Sequence, residues 1–231
     1  MELEKLQEKG INKLLEILQI GFLDIMPEED VVSRRNNLQN LHIKNMKYEF
    51  SVDAIDFISK IAKFYELATI EIKKELEYFK VHFIQDEKGI FSIGFSLSSN
   101  EKSNEKNDSF YRIISTQSTE KIEVLKKIDR VDFEKSTSLY ETNLLPGIKT
   151  STKTEKNTQL IFYKIKDMYL FFINHFLLNH ESGYSKLVFE IIKFEETSKD
   201  PNNKNKLGLV VRAESASKGK SESYDFGTVY P

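Results

Sequence analysis

Chemistry in this 231-residue chain has to come from histidines, carboxylates, hydroxyls and lysines, because it contains no cysteine. That removes thiolate nucleophiles, thiolate zinc sites and disulfides together, and suits a reducing compartment. The four histidines, His42, His82, His175 and His180, fit no His-Glu-x-x-His pattern. His175 and His180 are five residues apart, about 140° apart on a helix, so they share no face and make no metal pair. His82 sits in a strand-like run and is the first candidate for acid–base work.

Two acidic stretches echo the nuclease arrangement in which carboxylates hold Mg²⁺ and a lysine polarises the scissile phosphate. Glu71-Ile72-Lys73 falls inside a helical stripe beside Lys74, Glu75 and Glu77 and reads as a solvated helix face. Asp132-Phe133-Glu134-Lys135 is a looser match. Gly219-Lys220-Ser221 resembles the end of a phosphate-binding loop, but Glu214 stands where the first glycine is required and no helical pattern follows. Asp225-Phe226-Gly227 matches the kinase metal-binding triplet in letters alone. Neither Gly-x-Ser-x-Gly nor Gly-x-Gly-x-x-Gly occurs among only nine glycines, which lowers the weight of hydrolase elbows and dinucleotide loops. The sequence assigns no catalytic residue, no cofactor and no metal ligand.

Charge narrows the partners. With 34 Lys and Arg against 36 Asp and Glu the net charge is -2, unlike a protein that grips nucleic acid along a broad basic face. The lysine clusters at Lys73-Lys74, Lys126-Lys127 and Lys204 to Arg212 each have acidic neighbours. The most apolar window, Met168 to Leu178, is about half of what a bilayer-spanning helix needs. The opening residues, Met1 to Gly10, carry acids and no apolar h-region. The expectation is a cytoplasmic protein without nucleic-acid or membrane partners.

The elements that would position these groups follow from periodicity. Residues 2 to 20 carry leucines at helical spacing, with Gly10 weakening the middle. Pro27 opens a short helix, acidic in its first turn and ending on Arg34 and Arg35. Ile58, Ile61, Tyr65, Ala68, Ile72, Leu76 and Phe79 form one stripe, predicting a long helix from Ser51 to Phe79 that reaches roughly 40 Å. Val81 to Ile84 and Ile90 to Leu97 flank a Gly89 turn as a hairpin, and Phe110 to Ser115 reads as a strand. Ser118 would cap a helix through Ile122, Leu125 and Ile128, while Val131 to Ile148 shows no clear period. Gln159 to Ile165 predicts a strand, Met168 to Leu178 either a buried helix, which is preferred, or a second strand, and Lys186 to Glu195 with Leu207 to Ala213 a second hairpin.

The expected fold is α+β: a helical region over residues 1–80, with a long central helix packed on a mainly antiparallel sheet of hairpins over 81–214. Residues 215–231 read as a flexible linker and an aromatic tail. Such features favour a non-enzymatic interaction or assembly protein, possessing a protein partner or self-associating through its long helix; the rival reading is a metal-dependent hydrolase or nuclease with an acidic site gathered from distant segments. Tyr224, Phe226, Val229 and Tyr230 bring apolar surface to the tail and are the candidate partner-binding residues, docking along a sheet edge of this chain or of a partner.

Overall fold

The computed structural model describes residues 25–72, 76–99, 110–115, 123–178, 183–198, 201–215, 219–225 and 228–230. Alternating apolar residues build its principal strands: β1 (Ile25–Met26), β2 (Glu49–Asp53), β3 (Tyr78–Gln85), β4 (Phe91–Ser98), β5 (Phe110–Ser115) and β6 (Glu123–Ile128). After them come β7 (Leu160–Lys164), β8 (Lys186–Lys193), β9 (Leu207–Ser215), β10 (Gly219–Lys220), β11 (Ser223–Tyr224) and β12 (Thr228–Tyr230). One sheet joins them in the order β1-β11-β9-β8-β2-β6-β5-β4-β3-β7-β12, with β10 also paired to β9. Its ladders are antiparallel except for the β2 to β6 pairing.

This sheet curls almost into a barrel. Tyr224 pairs with Val211 of β9, and four residues later Thr228 pairs with Phe162 of β7. In a flat sheet β9 and β7 would lie seven strand spacings apart, about 34 Å at 4.8 Å each. Four extended residues reach only about 14 Å. The two lips must therefore meet, and the tail stitches them, its first half on β9 and its second on β7. Beside this seam the Asn157 carboxamide accepts from the Leu207 amide at 2.9 Å and donates to Thr152 Oγ1 at 2.8 Å. The Thr158 hydroxyl donates to the Leu207 carbonyl.

Phenylalanines fill the inside of the curl. Phe95 of β4 and Phe189 of β8, on opposite walls, bring their ring centroids within 5.3 Å. Between the walls enters α2 (Ala54–Ile72), whose Phe57 lies 5.3 Å from Phe95, 5.5 Å from Phe189 and 6.1 Å from Phe172. The Asp53 carboxylate starts this helix by accepting the Asp56 amide at 2.8 Å. Phe57, Ile61 and Phe64, on one face at helical spacing, are buried, each contributing about 1.5–3 kcal/mol. Next to it packs α5 (Ile165–Phe172), which continues into a π-helical turn at Ile173–Leu178.

Two further helices cover other parts of the sheet, and a third continues from one of them. α1 (Glu28–Gln39) lies on β8, α3 (Arg130–Leu139) lies on β3 and β5, and α4 (Leu145–Thr152) follows α3 through a π-helical turn at Tyr140–Leu144. Asp129 caps α3 by accepting the Asp132 amide at 2.8 Å. Tyr140 anchors the turn, donating its hydroxyl to the Thr158 carbonyl at 2.7 Å.

The α+β class and the mainly antiparallel sheet agree with the sequence reading, but the helical N-terminal region does not. The leucine-rich stretch 2 to 20 lies outside the described residues, and from residue 25 to 80 the chain supplies β1, β2 and the start of β3 as well as α1 and α2. Ser51 is a strand residue, because Phe50 and Val52 alternate inward on β2. Leu76 and Phe79 keep the helical phase of the stripe by coincidence, so α2 is 19 residues long, about 28 Å. Ser118 and Ile122 lie outside the described residues, and the rest of the helix expected there is instead β6, where Glu123 and Leu125 are buried and Val124 and Lys126 are exposed. Met168 to Leu178, which the sequence left between helix and strand, is helical.

Candidate functional site

Where α2, β3, β7 and α5 meet, a groove of about 470 Å³ opens on the surface. Its backbone frame is tight. The Glu77 amide donates to the Ser98 carbonyl at 3.1 Å, and the Glu77 carbonyl accepts from the Ile165 amide at 2.8 Å, tying the end of β4 to the first residue of α5. Tyr78 and Lys164 face each other across the β3 to β7 ladder, and the Tyr78 ring stands edge-on to Phe162 at 5.9 Å. Tyr65 from α2 and Tyr169 from α5 meet edge to face at 6.0 Å. Burial, and next the neighbouring Tyr65, push the Tyr169 phenol up from its ordinary pKa.

Three tyrosines, Lys164, Lys166 and Glu77 thus line one concavity. Below it a small apolar slot continues inward between Ile61, Phe79, Leu97, Met168 and Phe172, sharing Tyr65, Ile165 and Tyr169 with the groove. Amphipathic rings around an opening with fixed charges and an apolar floor suit the docking of a side chain from another molecule.

On the outer face of the sheet, charged side chains converge. Arg212 of β9 meets Glu190 of β8, Glu49 of β2 at 2.9 Å and Glu214 at 2.8 Å, while Arg35 of α1 reaches Glu190 at 2.9 Å. Burial lowers the Arg212 pKa, but the three carboxylates outweigh it and the guanidinium is held above its ordinary value. This corrects the reading of the arginine pair as the end of a short helix: α1 runs on to Gln39, leaving both mid-helix, with Arg34 stacked 5.4 Å over Phe194. That ring fills the space above Gly208, where a Cβ would come within 2.4 Å of it.

His82 shares a 2.9 Å hydrogen bond with Ser96 Oγ. Both are buried, and Phe133 of α3 closes over the imidazole at 4.7 Å. Burial, with Lys80 adding to it, pushes the His82 pKa down to about 3. A serine beside a histidine has the chemistry of an acyl-transfer pair, but here α3 covers it. The Asp132 to Lys135 echo lies on α3, where Glu134 pairs with Arg130 at 2.6 Å and Phe133 is core. Glu71 and Ile72 end α2, and Lys73 lies outside the described residues.

The tail candidates divide. Tyr224 is buried, its ring 5.3 Å from Phe171 and 5.2 Å from His175. His175, also ringed by Tyr184 at 5.9 Å, has a buried Nε2 with no hydrogen-bond partner among the described residues. Val229 and Tyr230 pair with Ile161 and Leu160 of β7. Phe226 and His180 lie outside the described residues, and His42 is exposed at a positive φ of 47°. Gly219 and Lys220 pair with β9 and Ser221 accepts the Ala213 amide at 2.9 Å, so strand pairing, not a helix, follows the loop-like triplet.

Sequence reasoning treated Tyr65 as core stripe and gave Lys164 and Lys166 no role. The groove went unread because its lining comes from three stretches that only the fold brings together. Among the described residues no three His, Cys, Asp or Glu side chains are grouped to hold a metal ion, and no helix is long and apolar enough to cross a membrane. No family model matches the chain, and comparison with curated proteins and with solved structures finds no similar protein.

Proposed function

We propose that this chain is a non-enzymatic interaction protein that docks a partner protein in the groove between α2, β3, β7 and α5. The observation that carries this is the meeting of Tyr65, Tyr78 and Tyr169 around one opening above an apolar slot. Tyrosine supplies large contact area with little conformational entropy to lose, which is why it is enriched where partners bind. A hydrolytic reading would require carboxylates gathered in a concave site, whereas Glu49, Glu190 and Glu214 converge on Arg212. Of the tail residues, Tyr224 is buried against Phe171 and His175, and the groove is the surface proposed here for the partner.

The test is a photo-crosslinking amino acid placed at Tyr169 or Tyr78 in cells that make the protein, with the exposed hairpin residue Glu87 as control. A discrete adduct from the groove positions that Glu87 does not give is the expected result. Adducts no different from those of the control would overturn the proposal.

A further inference from the structure

We infer that the tail is an acid-released strap: a proton on His175 undocks β11 and parts the seam between β9 and β7 while the rest of the sheet stays folded. The imidazole sits where the tail is held. It belongs to the π-helical turn that continues α5 and is buried. Three rings surround it, with centroids at 4.6 Å for Phe171, 5.2 Å for Tyr224 and 5.9 Å for Tyr184. Its Nε2 has no hydrogen-bond partner among the described residues. A neutral imidazole can leave one nitrogen as an unpaired acceptor, but the imidazolium donates from both nitrogens and carries a charge, so the protonated ring has to reach water.

Tyr224 is the side of this cage that gives way. Phe171 stands in α5, whose Met168 and Phe172 are core residues. By contrast β11 is two residues long, paired to β1 at Ile25 and Met26 and to β9 at Val211. A short element with few ladder bonds opens at a lower free energy than the fold as a whole. Nor is a counter-charge at hand for the imidazolium. Among the described residues its titratable neighbours are the phenols of Tyr184 and Tyr224 and, beyond Tyr224, the exposed Glu222 bonded to that phenol. Asp225, next along the tail, acts on Tyr163 instead. Burial, and next Glu222, push the Tyr224 phenol up to about 12, so it stays neutral in acid. Burial holds the His175 pKa down at about 4 while the tail is docked. A ring that regains the ordinary value of about 6.5 on release makes the released fraction grow by up to about thirtyfold from pH 7.5 to pH 5.

Because the chain has no cysteine, one introduced thiol can report on one place. Ser223 of β11 is buried and its Oγ has no hydrogen-bond partner among the described residues, so Ser223→Cys reports undocking of the tail. Val188→Cys, buried on β8, reports opening of the sheet itself. Labelling of the full chain by 4,4′-dithiodipyridine is followed at pH 7.5 and pH 5, each rate divided by that of the same chain unfolded in urea. The relative rate at residue 223 should rise more than about fivefold in acid, and the rate at residue 188 should not. Combined with Ser223→Cys, His175→Phe or His175→Leu, whichever keeps the wild-type melting temperature at pH 7.5, should abolish the rise, and Glu222→Gln should preserve it. No rise at residue 223, a rise that survives without the imidazole, or one that Glu222→Gln removes would overturn the assignment of the trigger to His175. Equal rises at residues 223 and 188 would show acid unfolding of the whole sheet and overturn local release.

Discussion

Glu190 is 1% exposed and accepts from two guanidinium groups, those of Arg212 and Arg35. Burying one charge alone is costly, so the network is held together by its own completeness. Glu190→Gln leaves Arg212 with only its two more exposed carboxylates and should cost about 3–5 kcal/mol; Arg35→Ala, at the half-exposed edge, should cost less. Urea denaturation of both variants checks the order. His175 gives a pH test. Burial lowers its pKa to about 4 in the folded protein, against an ordinary value of 6.5, so the unfolded chain binds a proton that the folded one refuses. Stability should therefore fall as pH drops from about 6.5 towards 4, by up to about 1.4 kcal/mol per pH unit for this histidine, and be insensitive to it above 6.5. His175→Phe keeps the ring contacts and removes the proton site, so its stability should decline less than wild type over that interval. Parallel curves for the two proteins would refute this.

Elements differ in how openly the sequence declares them. The two hairpins were legible because Val81, Phe83, Phe95 and Leu97, and again Leu187, Phe189 and Val211, alternate inward, with Gly89 at a φ of 81° making the first turn. The helices from Arg130 to Thr152 were not, because they are held by single anchors such as Tyr140 and Phe133 and not by a repeating stripe. The overrun of α2 and the misread β6 share a cause: a spacing of three or four apolar positions is compatible with a strand that has a local irregularity or a strand that follows a helix in phase. The tail's aromatic content was visible, but its crossing from β9 to β7 depends on the curl. Thr228→Pro, which removes the amide opposite Phe162 from the β12 ladder, and Asn157→Ala, which leaves the Leu207 amide without its acceptor, should each destabilise by about 1–3 kcal/mol, or roughly 2–4 °C of melting temperature per kcal/mol. Thermal melts unchanged in both would mean the seam is not closed in solution.

For the molecule as a whole, the apolar face of α2 is used inside. Phe57, Ile61 and Phe64 lie against the walls of the curl, leaving that part of the stripe no surface for a second copy. Light scattering at high concentration should give the mass of a single chain, and a dimer would show that another face associates. The seam also has a bearing on synthesis. Residues 223–230 are made after every other described strand, so a ribosome that has delivered β9 has produced a sheet with two bare lips and nothing yet to join them. Val211 and Ile161, buried in the finished protein, then sit on open strands that invite pairing with neighbouring nascent chains. A chain arrested before residue 223 should accordingly aggregate or engage chaperones, while one released eight residues later should not.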